Sequence, residues 1–191
     1  MFDRIYKTLF IFGLVCIGLC TMTPSALAAV HYVKPGGTGD GSSWENAGAL
    51  QATVNAASEG DEVWVAAGTY TSNLGARLQM KDGVAIYGGF SGVESGREER
   101  DWTVNISSIS GAGRPGDWMV KGANNATLDG FTITGGDSNQ PGGAMYNLDV
   151  YLLVVANCVF SNNKATNGGG MYNKNTTVTV SYCTFSSNSA S

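Results

Sequence analysis

The second half of the chain repeats a short pattern of apolar and polar positions. GGAMYN at 142–147 recurs as GGGMYN at 168–173, and CVFSNN at 158–163 recurs as CTFSSN at 183–188. Apolar residues alternate with polar ones inside each block, which is typical of β-strands with one buried face. A period near 25 residues made of such blocks excludes helical repeats and is too short for a propeller blade. The pattern predicts an all-β parallel β-helix with one turn of chain per repeat.

Stacking of successive turns would place equivalent residues about 4.8 Å apart. GFTITGG at 130–136 fits the same frame, with Phe131 and Ile133 in the positions of the later Cys and Phe. The predicted inward columns are Phe160 with Phe185, Cys158 with Cys183 and Met145 with Met171, and the predicted amide ladders are Asn163 with Asn188 and Asn147 with Asn173.

The first half is less regular but compatible with the same fold. The apolar pair Val63 and Val65 returns 21 residues later as Val84 and Ile86, and 106–109 provides a further turn. The tight turns between such strands favour glycine, which supplies positive φ angles at low cost.

One helix is predicted before the first regular turn. Leu50, Val54 and Ala57 have helical spacing within 45–57, and Ser43 is positioned to cap that segment. We expect this helix to cover the N-terminal end of the solenoid, because a bare edge strand would pair with other chains.

The N-terminal segment has the features of a signal peptide. Arg4 and Lys7 precede an apolar run over 9–20, and small residues at 26 and 28 predict cleavage after Ala28. A membrane anchor is the alternative, but the run is shorter than the ~20 residues that a spanning helix needs. The predicted division is a signal peptide at 1–28, a strand, Gly-rich loop and capping helix at 29–60, and β-helix turns at 61–191.

Composition narrows the class of partner. The 191 residues are 43% hydrophobic and 14% charged, which is too apolar for a disordered chain. The formal net charge is −4 and no basic block occurs, so nucleic acid is not an expected partner.

Several longer runs resemble a known group of proteins. GDEVWVAAGTY at 60–70, YGGFSGVESGREERDW at 87–102 and LDGFTITGG at 128–136 look like the bacterial right-handed parallel β-helix proteins of the pectin-lyase-like superfold. The GGxMYN and FSxN units are similar to the repeats of polymorphic outer membrane proteins. This resemblance covers essentially the whole chain after residue 28, and it implies fold and export rather than one activity.

The catalytic residues that the resemblance implies are not evident in this sequence. Pectate lyases of the superfold hold Ca²⁺ with clustered Asp and use Arg or Lys as base, and the related hydrolases use paired Asp with His. Here the one histidine, His31, is expected to be an exposed terminal residue, and Asp129, Asp137 and Asp149 are far apart in the repeat. We therefore predict no catalytic, cofactor-binding or metal-binding residue. A calcium ion is expected only if the protein is a lyase.

Four other features were weighed as sites. The charge cluster at 97–101 is expected to be a solvated, internally paired face. The Gly-rich run at 36–41 lacks the residues of a phosphate loop and is expected to be a flexible loop. Cys158 and Cys183 are expected to be free, inert thiols. The tryptophans could stack on sugar rings but are more simply explained by burial: Trp44, Trp64, Trp102 and, beside Asp117 and Arg114, Trp118.

The function expected from these features is that of an exported, non-catalytic β-helix module of a secreted or cell-surface protein. Its expected partner is a surface glycan or the surface of a host or neighbouring cell, and its expected location is the bacterial outer membrane or beyond. The alternative is a polysaccharide lyase or glycoside hydrolase whose active turns lie partly beyond residue 191. The repeat stops at Ser191 where the next glycine corner is due, so we expect the N-terminal part of a longer protein, with any membrane contact through the missing part.

Overall fold

Short alternating segments account for most of the secondary structure of the protein. The structure is a computed structural model that describes residues 28–71, 78–111, 115–116 and 118–191, so the predicted signal peptide lies outside it except for its last residue. The strands within these residues are β1 (Val30–Val33), β2 (Glu62–Ala66), β3 (Gly68–Thr71), β4 (Leu78–Gln79), β5 (Ala85–Phe90), β6 (Ser107–Ser110), β7 (Pro115–Gly116), β8 (Val120–Lys121), β9 (Thr127–Asp129), β10 (Phe131–Thr134), β11 (Asp137–Ser138), β12 (Met145–Leu148), β13 (Leu153–Ala156), β14 (Val159–Ser161), β15 (Lys164–Ala165), β16 (Met171–Lys174), β17 (Val178–Ser181), β18 (Thr184–Ser186) and β19 (Ser189–Ala190).

These strands form four sheets whose neighbouring strands are parallel. Sheet A contains β1, β2, β5, β9, β13 and β17, and sheet B contains β3, β6, β10, β14 and β18. Sheet C contains β7, β11, β15 and β19, and sheet D contains β4, β8, β12 and β16. A full turn of the chain passes through sheets A, B, C and D in that order, which confirms the predicted all-β parallel β-helix.

The predicted inward columns have the expected register. Met145 lies opposite Met171, and Phe160 lies between Ile133 and Phe185 in sheet B. The rings of Phe160 and Phe185 are stacked with centroids 4.7 Å apart and planes 6° apart. The repeat therefore determined the register of the later turns correctly.

One amide ladder satisfies buried backbone groups, as predicted. The side chain of Asn163 is buried, its Oδ1 accepts from the Gly136 NH (2.9 Å), and its Nδ2 donates to the Ile133 carbonyl (3.0 Å). The same Nδ2 donates to Oδ1 of Asn188 (2.9 Å). In the other ladder Asn147 Nδ2 donates to Asn173 Oδ1 (2.7 Å), so this hydrogen bond joins two side-chain amides rather than a side chain and the backbone.

The register in the first half differs from the prediction. Val63 lies opposite Ile86 rather than Val84, because residues 81–84 form a tight turn, closed by a hydrogen bond from the Val84 NH to the Lys81 carbonyl (3.1 Å). A bulge between Val65 and Ala66 shifts the pairing of β2 with β5 again. A constant repeat length in the sequence does not predict irregular turns of this kind.

The helix is shorter than predicted and has a different start. Helix α1 spans Leu50–Ala56, with Ala49 at its N-cap and no side-chain cap; the Ser43 hydroxyl instead accepts from the Asn46 NH (3.2 Å). Residues 46–48 are not helical because their backbone groups bond to residues 32, 39 and 41. The 36–41 segment, predicted as a flexible loop, is thus tied by backbone hydrogen bonds to its neighbours. Val54 and Ala57 are buried in the main core with Val33, at the N-terminal end of the solenoid.

Within the residues described, no helix combines the length and apolar character needed to cross a membrane.

Candidate functional site

The corner between sheets A and B repeats the same backbone conformation in three successive turns. Gly130, Asn157 and Tyr182 have φ angles of 80°, 52° and 52°, which lie in the left-handed region. The strand register confirms the alignment, because Val159 lies opposite both Thr132 and Thr184 two residues beyond this corner. These three positions therefore lie one above another along one edge of the solenoid, where Gly130 is buried, Asn157 is half-buried and Tyr182 is exposed.

Trp102 lies over this edge at the end of the loop that follows β5. A Cβ atom at Gly130 would lie 3.1 Å from the Trp102 Cβ, and one at Gly89 would lie 2.8 Å from it. Only glycine at these positions allows the tryptophan to pack so closely. The Arg100 guanidinium lies 4.7 Å from the centre of the indole ring, which remains 37% exposed.

Trp102 and Tyr182 flank a groove of about 320 Å³, which we call the corner groove. Tyr182 is 90% exposed and lies two turns from Gly130, a separation of about 10 Å. The remaining lining residues mix apolar side chains with hydroxyl and amide groups: Thr103, Ile106, Gly130, Phe131, Thr132, Asn157, Cys158, Val159 and Thr184. Ile106 and Val159 are 44% and 36% exposed and contribute apolar surface to the groove.

Arg100 and Asp129 form a largely buried ion pair that contacts two residues lining the groove, Trp102 and Asn157. Arg100 Nη2 lies 2.9 Å from Asp129 Oδ1, and Asn157 Nδ2 donates to the same oxygen (2.9 Å). Arg100 Nη1 also donates to the Gly88 carbonyl (3.0 Å). Because the guanidinium and the carboxylate neutralise each other, Arg100 is not available to bind an anion.

Asp101 directly precedes two residues that line the groove, Trp102 and Thr103. Asp101 is exposed, and its Oδ1 accepts from the hydroxyl (2.6 Å) and the backbone NH (2.9 Å) of Thr103. The hydrogen bond from the Thr103 hydroxyl contributes most to lowering the pKa of Asp101, and the one from the Thr103 backbone NH contributes next. The groove therefore fits a ligand that has apolar faces, hydroxyl groups and no negative charge.

Two tryptophans predicted as candidates for sugar stacking are buried in a second core. Trp44 and Trp64 are 8% and 4% exposed and pack with Phe90 and Tyr32 on the outer face of sheet A. The rings of Trp64 and Phe90 are stacked with centroids 4.8 Å apart. The expectation that Trp44 and Trp64 are buried is confirmed, whereas Trp102 lines the corner groove.

Glu94 anchors the loop that encloses this second core. Its carboxylate accepts from the backbone NH groups of Ser91 (2.6 Å), Gly92 (2.9 Å) and Val93 (3.0 Å). Burial opposes the charged form, but these backbone hydrogen bonds outweigh it and lower the pKa of Glu94 from 4.5 to about 2. The Glu94 carbonyl also accepts from the indole NH of Trp44 (2.9 Å).

Glu94→Gln should lower the free energy of unfolding by about 1 kcal/mol at pH 7, after allowance for solvent screening at the loop surface. Since the folded-state pKa is depressed, this contribution is present above pH 4.5 and is lost as the pH falls toward 2. Urea denaturation from pH 7 to pH 2.5 checks it, with Glu98→Gln at an exposed position as control. A difference between Glu94→Gln and wild type that does not change with pH would contradict it.

Both arginines of the charge cluster at 97–101 form ion pairs with carboxylates outside the cluster, so the predicted internally paired, solvated face is wrong. Arg97 pairs with Glu62 and donates to the Tyr87 hydroxyl (3.0 Å), with its side chain 46% exposed. Arg100 is only 9% exposed, in contrast to the solvated face that was predicted. The cluster fastens the loop to the outer face of sheet A.

His31 is in β1, but it is not a free terminal residue. Its side chain is 21% exposed and its Nε2 lies 3.0 Å from Asp61 Oδ2. Asp129, Asp137 and Asp149 belong to different sides of the solenoid, since Asp129 is in β9, Asp137 in β11 and Asp149 after β12. In the described part of the chain, no three His, Cys, Asp or Glu side chains form a group that could hold a metal ion.

The two cysteines are free thiols aligned at the corner. Cys158 is buried, and burial raises its pKa. Cys183 is only half-buried, and a hydrogen bond from Cys158 lowers its pKa to about 7. Both thiols are free, as predicted, and Cys183 is less covered than Cys158; that the two thiols are inert stays a prediction.

Trp118 stacks on Tyr146, and Tyr146 stacks on Tyr172, with ring centroids 4.5 and 5.6 Å apart. The neighbours named with it in the sequence, Arg114 and Asp117, lie outside the described residues. These rings cover one another's faces, so we do not assign Trp118 to a binding site.

Tyr182 is not among the candidate residues predicted from the sequence. It directly precedes Cys183, just as Asn157 precedes Cys158. Alignment of the repeats could have placed it at an outward corner, but its partner Trp102 is 80 residues away in a loop outside the repeat.

The comparisons with known proteins give one match. Residues 37–190 match the family described as a protein of unknown function, DUF1565. No curated protein and no solved structure matches the chain. The family match covers well over half of the 191 residues, including every turn of the described solenoid that carries the corner groove. The chain is therefore a member of the DUF1565 family.

Proposed function

We propose that the protein is an exported, non-catalytic β-helix module that binds a neutral glycan in the corner groove. The observation that carries the proposal is the exposure of two aromatic side chains, Trp102 and Tyr182, on either side of a groove lined with threonine hydroxyls. Sugar rings present C–H groups that pack on aromatic faces and hydroxyls that exchange hydrogen bonds with Thr and Asn. The groove volume is near the lower end of the range for small-ligand sites.

Export is supported by the signal-peptide features of residues 1–28, and a secreted or outer-membrane location follows from it. The motifs at 60–70, 87–102 and 128–136 support the finer assignment to the pectin-lyase-like superfold with repeats of the polymorphic outer membrane protein type. The surface of a host or neighbouring cell is the proposed source of the glycan.

Neutral rather than acidic glycans are proposed because Arg100, which contacts the Trp102 ring, is paired with Asp129. Asp101, which directly precedes two residues that line the groove, would repel the carboxylates of a polyuronate. This charge distribution favours binding of neutral sugars over the polygalacturonate that a pectate lyase would bind.

Trp102→Ala and Tyr182→Ala should each weaken binding of a neutral oligosaccharide by about tenfold, since each removes an aromatic wall. Titration calorimetry against neutral oligosaccharides and oligogalacturonate measures the effect. Tyr151→Ala is the matched control, because Tyr151 is 54% exposed but is not among the residues that line the groove.

Equal affinity of all three variants for the bound sugar would contradict the proposed site. Calcium-dependent release of unsaturated products from polygalacturonate would contradict the non-catalytic role and favour the lyase.

A further inference from the structure

The carboxylate of Asp61 is held in a defined position beside the first strand of the solenoid. Its Oδ1 accepts from the backbone N of Ala29 (2.9 Å), and its Oδ2 accepts from the Ser58 NH (2.8 Å) and from His31 Nε2 (3.0 Å). The Asp61 side chain is 12% exposed. A carboxylate with three donors and little solvent exposure is a preorganised site for positive charge.

The charged form of Asp61 is favoured by its surroundings. Burial alone would raise the pKa of Asp61, but the hydrogen bonds from Ser58, Ala29 and His31 outweigh it and lower the pKa. Among the described residues, His31 is the titratable side chain that contacts the Asp61 carboxylate. The neighbouring carboxylate of Glu62 pairs instead with Arg97.

Ala29 directly follows the predicted cleavage site and directly precedes strand β1. Small residues at 26 and 28 predict cleavage after Ala28, so Ala29 would become the first residue of the exported chain. Strand β1 begins one residue later, at Val30, and the Ala29 carbonyl accepts from the Glu62 NH (2.8 Å). Ala29 is an exposed residue, and its hydrogen bond to Asp61 lies at the surface.

We infer that Asp61, supported by His31 and Ser58, is a binding site for the α-ammonium group that cleavage of the Ala28–Ala29 peptide bond creates. In that hydrolysis, catalysed by a signal-peptide-removing protease, water adds its hydroxyl to the Ala28 carbonyl carbon. The C–N bond breaks, and the Ala29 nitrogen leaves with the proton and is protonated at neutral pH. The inference rests on the export part of the proposed function and is independent of the corner groove.

Cleavage would convert the existing hydrogen bond between the Ala29 nitrogen and the Asp61 carboxylate into an ion pair. In the intact chain the Ala29 nitrogen is a neutral amide that donates one hydrogen bond. In the cleaved chain the same atom carries a positive charge 2.9 Å from a carboxylate oxygen. The folded first turn thus gains a charge-assisted bond only when processing occurs at this one peptide bond.

The experiment uses the full chain expressed in a host that exports it, with recovery of the exported protein. Intact-mass measurement and N-terminal sequencing identify the first residue. The α-amino pKa is then measured by NMR after reductive ¹³C-methylation, in low salt and in 1 M salt. Asp61→Asn is the test variant. Asp82→Asn is the control, because Asp82 also accepts a backbone hydrogen bond, from Asn124 (2.8 Å), at a distance from Ala29.

The chain is expected to begin at Ala29, with an α-amino pKa raised by about one unit above the usual 7.7–8.0. High salt and Asp61→Asn should both return it toward that range, and Asp82→Asn should leave it raised. Asp61→Asn should also lower Tm by about 2–4 °C. If that variant fails to fold, the wild-type titration in low and high salt still tests the site.

The two proposals fail in different ways. An exported chain that begins at another residue, or at Ala29 with an unperturbed α-amino pKa, would overturn the ammonium site and leave export and glycan binding standing. A chain that stays inside the cell with its leader attached would overturn both the ammonium site and the export proposal.

Discussion

Replacing Phe160 by alanine is expected to lower the free energy of unfolding by about 3–5 kcal/mol, which is the usual cost of truncating a fully buried phenylalanine. Phe160 has no exposed surface, and it packs between Ile133 and Phe185 in the inward column of sheet B. Its removal therefore leaves a cavity at the centre of a turn and deprives Phe185 of its stacking partner. Phe160→Asp should prevent folding, because an unpaired charge would be buried.

Phe185 provides the matched comparison. From the repeat alone, aspartate at Phe160 or at Phe185 should be equally harmful, but the Phe185 side chain is 48% exposed. Phe185→Ala should cost about 1 kcal/mol, since much of its surface already contacts solvent. Guanidinium denaturation of the two alanine variants measures both. Equal destabilisation by the two substitutions would contradict the burial described for this column.

Replacing Asn163 by alanine is expected to cost about 3 kcal/mol. The substitution leaves the Gly136 NH and the Ile133 carbonyl without their hydrogen-bond partner inside the core, and each such group costs about 1–3 kcal/mol. Asn163→Asp should be at least as harmful, because a carboxylate accepts from Gly136 but cannot donate to Ile133.

Asn188→Ala is the control for this ladder. Asn188 Nδ2 donates to the Phe160 carbonyl (2.8 Å), and its Oδ1 accepts from the NH (3.1 Å) and Nδ2 (2.9 Å) of Asn163. Its side chain is only half-buried, so water can replace part of what is lost. We expect about 1 kcal/mol from this variant in the same denaturation experiment. Hydrogen exchange at the Gly136 amide would show the local effect, and protection that is unchanged in Asn163→Ala would contradict it.

The later turns could be predicted from the sequence because their chemistry repeats. Met145 with Met171 and Phe160 with Phe185 recur at nearly constant spacing, so the period gave their register directly. The first turns depart from that period: the tight turn before β5 moved the true partner of Val63 by two residues, and the bulge after Val65 shifted the pairing again from Ala66 onward. The start of α1 was missed because backbone hydrogen bonds across the loop, rather than helix propensity, determine residues 46–48.

The candidate site was the part least accessible to sequence reasoning. Its two aromatic walls come from a loop outside the repeat and from a corner residue inside it, so no local pattern relates Trp102 to Tyr182. The burial of Trp44 and Trp64 likewise depends on a loop folding back over sheet A, with Glu94 fixed by three backbone NH groups. Single-sequence patterns report which strands stack, but they do not report which loop covers which face.

The repeated corner between sheets A and B affects how the binding surface of such a protein can evolve. The corner residue differs at each turn, being Gly130, Asn157 and Tyr182 in succession, while the backbone keeps one conformation. A non-glycine residue there costs about 1 kcal/mol of backbone strain and leaves the inward columns untouched. At Asn157 and Tyr182 mutation can therefore exchange one contact with a ligand at a time at a small cost, whereas Gly130 must remain glycine because Trp102 packs against it. Selectivity along this edge can be altered independently of foldability, so that a single scaffold can diversify its recognition surface turn by turn.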